Sequence, residues 1–194
     1  TVFRDGSGEQ LALQVKIKGK PYVIAFGEIG SGPPKVACAA GLTPFSRVKI
    51  FDISEEQYPI HVNDLTLEVN DPKNCDGIGP EMDVKRSLGL TYDVHMCSVD
   101  NRDEATTLAC SHFEAGIRVY DIRDPEHVKE IAYFNPAATS GARPGTGWCA
   151  SMVVLDAPKG MAYSWCQESG VLALKFTNGV WPVPGAATPT DRQL

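Results

Sequence analysis

Apolar and β-branched residues fall in short runs separated by Gly, Pro, Asp or Asn, over residues 11–17, 22–26, 48–53, 106–110, 117–122, 131–134, 152–155 and 171–176. Within these runs larger apolar side chains alternate with small or polar ones, the period of a strand that buries one face. No stretch holds a 3.6-residue period over helical length, so the pattern predicts an all-β chain.

The runs also repeat. Val48-Lys49-Ile50-Phe51-Asp52-Ile53-Ser54 aligns with Ile117-Arg118-Val119-Tyr120-Asp121-Ile122-Arg123; both carry aromatic-Asp-Ile and lead through an acidic, Pro-containing turn to another strand. Residues 170–176 form a weaker third copy. A hairpin precedes each copy: 11–17 with 22–26, 92–99 with 106–112, and 148–155 with 161–166. Hairpin, repeat strand and outer strand make a four-stranded unit, and such units bury both faces only by stacking. The expected architecture is a β-propeller portion of about three four-stranded blades. They occupy roughly 11–70, 92–135 and 148–183 within a domain over 1–183, followed by a flexible Pro-, Ala- and Thr-containing tail over 184–194.

Gly116-Ile117-Arg118-Val119-Tyr120-Asp121-Ile122-Arg123-Asp124-Pro125, followed by Lys129-Glu130-Ile131-Ala132-Tyr133-Phe134-Asn135-Pro136, resembles the LVIVD repeat of secreted bacterial β-propeller proteins. The segments 37–45 and 67–75 resemble the flanks of such repeats. The resemblance implies a propeller and an exported protein, and it implies no activity. Because propellers close with roughly four to eight blades, three blades are expected to be the C-terminal part of a larger ring. The remaining blades would lie on the same precursor or on another chain.

The formal net charge of −6 is scattered, without the basic stripe that nucleic acid demands or a polybasic patch for anionic lipid. No apolar run approaches the roughly 20 residues of a membrane-spanning helix. The chain starts at Thr1 without a leader pattern, as a mature or cut form would. Six cysteines without a CxxC pair suit an oxidised, extracytoplasmic protein. Cys97 and Cys110 are symmetric about the turn 101–106, and Cys149 and Cys166 about 156–160, which predicts two cross-strand disulfides and leaves Cys38 with Cys75. A sharper alternative puts His95, Cys97, Cys110 and His112 on one face as a tetrahedral zinc site. The third blade carries the cysteines without the histidines, which favours disulfides in both.

Strand connectivity sends the long insertions 27–46, 71–91 and 135–147 to one end and tight turns such as 18–21 and 157–160 to the other. Near the decorated end lie Asp93, His95, His112 and Glu114, candidates for acid–base work, with Trp148 and Glu168 as candidate ligand contacts. The plainer reading is that the histidines satisfy hydrogen bonds inside a blade and that the glutamates are solvated. Asp52 and Asp121 are expected to tie turns, and Tyr120, Phe134, Trp165 and Phe176 to pack between blades. Gly27-Glu28-Ile29-Gly30-Ser31-Gly32 lacks the order and the Lys of a phosphate loop, and no HExxH or GxSxG is present, so no cofactor is called for. The expected function is a binding or scaffold module acting through its long-loop end on an unidentified ligand or protein. The rivals are a hydrolase, lyase or metal-dependent oxidoreductase using the His/acid pocket, and a structural subunit whose exposed edges complete another chain's sheet.

Overall fold

A computed structural model describes residues 7–79, 90–137 and 147–183. The segment 184–194 and the interiors of two long connections lie outside the described residues. Eleven strands form three antiparallel meanders. The first sheet runs β1 (Leu11–Ile17), β2 (Lys20–Phe26), β3 (Val48–Asp52) and β4 (Ile60–Leu65), paired in that order. The second runs β5 (Met96–Val99), β6 (Thr107–Ser111), β7 (Ile117–Asp121) and β8 (Lys129–Phe134). The third holds β9 (Val154–Asp156), β10 (Met161–Cys166) and β11 (Gly170–Lys175).

Alternation along the strands decides what stacks on what. Val15, Ile17, Ile24, Phe26, Val48 and Ile50 of the first sheet meet Cys97, Val99, Leu108, Cys110 and Tyr120 of the second in one apolar layer. The opposite face of the second sheet, with Ala109, Ile117 and Val119, meets Cys149, Val153, Leu155, Ala162 and Cys166 in another. All five residues of β6 are buried, because this strand lies in the middle sheet with a neighbour on each face. Each large side chain removed from water in these layers contributes about 1.5–3 kcal/mol.

The three sheets are all-β and antiparallel, but the third departs from the expected four strands. Beyond β11 the described residues form no further strand; Trp181 turns inward, 3% exposed, and its indole N–H donates to Thr107 Oγ1 at 2.9 Å. Pro182 has no N–H for a ladder. The inner side of this sheet is short for a second reason. From Met161↔Asp156 the register would set Cys166 opposite Ser151, yet Cys166 pairs with Cys149. The slack is a two-residue bulge, whose Ser151 and Met152 carbonyls accept from the Ser164 hydroxyl at 3.3 and 3.4 Å.

Tyr120 is buried between sheets and Phe134 and Phe176 border the second layer, while Trp165 is 51% exposed on the outer face of the third sheet. Asp52 and Asp121 accept from the backbone N–H two residues on, at 2.8 and 3.1 Å. Among the described residues one short α-helix, α1 (Pro34–Ala39), with Pro34 in its first turn, and three 3-10 segments interrupt the strands.

All six cysteines are paired, as Cys38–Cys75, Cys97–Cys110 and Cys149–Cys166. Three disulfides mark a protein of an oxidising environment. No helix among the described residues is long and apolar enough to cross a membrane.

Candidate functional site

The connections after β2, after β4 and after β8 leave from one end of the stack, and the turns 18–19, 53–59, 122–128 and 157–160 from the other. At the long-connection end the segment 27–46 is built as a rigid platform. A Cβ on Gly27 would stand 1.8 Å from the Gly8 carbonyl oxygen, and one on Gly30 2.3 Å from that of Pro44, so the glycines of this loop allow close backbone approach. Phe45, Cys38 and Ile78 form a small core of their own with Val69, Cys75 and Tyr92, and the Cys38–Cys75 bridge ties this platform to the next connection. On its surface Ile29, Val36 and Leu42 are 57%, 65% and 47% exposed.

Beneath the platform, side chains seam the three sheets together. Ser46 stands just before β3; its N–H donates to Asp93 Oδ1 at 2.6 Å, and its hydroxyl accepts from the Val94 N–H at 3.0 Å. Asp93 is buried and its Oδ2 has no hydrogen-bond partner. Burial pushes its carboxyl up to about 7, against the Ser46 and Gly30 groups that favour the carboxylate.

His95 touches all three sheets. Its backbone N–H donates to Ser111 O at 2.9 Å, its Nδ1 lies 2.6 Å from the Ala150 carbonyl, and its Nε2 lies 3.1 Å from Glu28 Oε2. A carbonyl only accepts, so Nδ1 is the donor to Ala150 O and Nε2 is the nitrogen that faces the Glu28 carboxyl. The imidazole lies 4.9 Å from the Phe113 ring, which stacks at 4.6 Å on Trp148, whose indole donates to Leu90 O at 3.2 Å. Phe113 holds φ 35, a left-handed conformation costly for a bulky residue, and its carbonyl accepts from Cys149 N–H at 2.9 Å.

His112 follows β6 and is buried, with no hydrogen-bond partner of ordinary geometry at either ring nitrogen. Burial, with help from the Arg118 charge and against a Tyr92 backbone group, pushes its imidazole down to about 3, so it is neutral. Glu114 is half-buried and its N–H donates to Thr91 O at 2.7 Å. Glu168 is half-buried beside Gln167, whose N–H donates to Trp148 O at 2.7 Å.

The structure thus joins His95, Phe113 and Trp148 in one ring stack and sets Asp93 and His112 inside the protein. The tetrahedral zinc alternative does not assemble, because the Cys97 and Cys110 sulfurs are bonded to each other. Among the described residues no group of three or more His, Cys, Asp or Glu is placed to hold a metal. Glu28, Ser46 and Phe113 were not singled out by sequence. The only signal for Glu28 was its glycine-rich setting, and for Ser46 its place directly before a repeat strand. Comparison with known protein families found no match, and comparison with curated proteins found none that is significantly similar.

Proposed function

We propose that this chain is a binding or scaffold module of the extracytoplasmic β-propeller kind. In this reading its three sheets are blades of a larger ring of the LVIVD-repeat type, with further blades on the same precursor or on another chain. Its long-connection end takes a protein, glycan or small ligand. The observation that carries the reading is the platform 27–46, which keeps Ile29, Val36 and Leu42 exposed while glycine contacts, a small core and a disulfide hold it still. Exposed apolar side chains on a pinned loop are what a contact surface presents.

A screen of glycans, peptides and small ligands by thermal shift on the full chain tests this. Any shift is expected to disappear in Val36→Asp and Leu42→Asp and to survive Lys159→Glu at the opposite end. Hits indifferent to the platform variants, or a screen without hits, would count against the proposal. The contact of His95 Nε2 with Glu28 Oε2 at 3.1 Å favours an enzymatic second reading. That reading requires a ligand that is turned over by the native chain and bound, but not converted, by His95→Ala.

A further inference from the structure

The outer edge of the third sheet and the groove beside it carry an inference independent of the long-connection end. Two sheets end in a fourth strand of six residues, β4 and β8, and the third ends at β11. Phe176 N–H donates to Gly160 O, which fixes the ladder: Leu172 and Leu174 bond toward β10, while Val171, Ala173 and Lys175 turn their N–H and C=O groups outward. No described strand pairs with that edge.

Along the same edge runs a groove of about 660 Å³, lined by Ile117 of β7, Ile131 and Phe134 of β8, Leu174 of β11, and Phe176 and Val180 beyond it. Five of these are the partly buried margin of the apolar layer between the second and third sheets, so the groove continues an existing interface outward. On the other side of the middle sheet the comparable place is filled: Asn63 of β4 donates from Nδ2 to the Pro125 and Glu126 carbonyls at 3.1 and 3.3 Å. The chain's described continuation does not fill it, because residues 177–183 leave the edge and send Trp181 to Thr107.

We propose that the β11 edge and this groove form a β-augmentation site. It takes an extended segment of a partner polypeptide, about six residues long and apolar at alternate positions, as the missing fourth strand. Main-chain bonds to Val171, Ala173 and Lys175 would supply affinity, and the groove would select the alternate apolar side chains. Covering the edge also removes a template for unwanted pairing.

A capped peptide of the β8 sequence KEIAYF, the strand at the equivalent place in the second sheet, is the probe. Titrated into the full chain, it is expected to slow amide exchange of Val171, Ala173 and Lys175 at least tenfold. Ile131→Asp, and Ala173→Pro if it folds, should weaken binding at least tenfold, and a scrambled peptide without alternation should not bind. Failure of KEIAYF to protect this edge, or protection at another edge, would overturn the proposal. Edge amides already protected in the free chain would overturn it too. Protection abolished by deleting 184–194 would then assign the place to the chain's own tail, and protection growing with protein concentration would assign it to a second copy.

Discussion

At the tight-turn end of the stack Asp100, 2% exposed, accepts from the Thr106 and Thr107 N–H groups at 3.0 Å each and from the Thr106 hydroxyl. At the long-connection end Asp93 is 1% exposed, yet only its Oδ1 is engaged, by Ser46. Between the sheets both kinds of joint occur at each end. Near the tight turns Lys16 exchanges backbone bonds with Arg102 and Ala105 at 2.8 and 2.7 Å, and the Trp181 indole donates to Thr107. Near the long connections Cys149 N–H donates to Phe113 O at 2.9 Å beside the side chains of Ser46, Asp93, His95 and Glu28. The two ends differ in how fully their buried aspartates are satisfied.

The largest effect should come from breaking the satisfied end. Asp100→Ala strands two buried N–H groups and a hydroxyl, and is expected to lower unfolding free energy by about 3–5 kcal/mol in denaturant titrations. Asp93→Ala at pH 8, which removes a poorly solvated carboxylate, should cost less than half as much. Equal losses would erase the distinction between the two ends.

A second effect appears as a tilt with pH. The folded-state value of Asp93, raised to about 7 from 3.8, gives a contribution complete below about 4 and lost as pH rises through 7. The lowered value of His112, about 3 against 6.5, gives one that is complete above 6.5 and lost as pH falls toward 3. Each swing is on the order of 4 kcal/mol at about 1.4 kcal/mol per unit. Between about 4 and 6.5 the two slopes oppose one another. Asp93→Asn should make stability rise with pH across that window, and His112→Phe should make it fall. Because the imidazole of His112 makes no hydrogen bond of ordinary geometry, the Phe variant should itself cost less than about 1.5 kcal/mol. Unchanged profiles in both variants would remove the electrostatic part of the comparison.

Strands were legible because alternation and turn residues are local signals: Ile117–Asp121 and Val48–Asp52 stand within one residue of the runs 117–122 and 48–53 read from sequence. The opposition of Cys97 and Cys110 was legible for the same reason, since a hairpin fixes register. The three-stranded third sheet was not, because the inward turn of Trp181 depends on Thr107, 74 residues away. Helix α1 spans only six residues, too few to set a period, although Pro34 and the positive φ of Gly41 mark its ends. At the site, His95 was found as a residue type, but its partners Glu28 and Ala150 come from the two neighbouring sheets, and no local pattern encodes such contacts.

The stack depends on a middle sheet covered on both faces, and amide exchange along β6 reports that burial. Leu108, Ala109 and Cys110 are expected to exchange only through global unfolding, orders of magnitude more slowly than Val171 and Ala173 at the free edge of β11. If β6 exchanged as fast as that edge, the sheets would not be stacked in this order, and the two-ended description would be wrong.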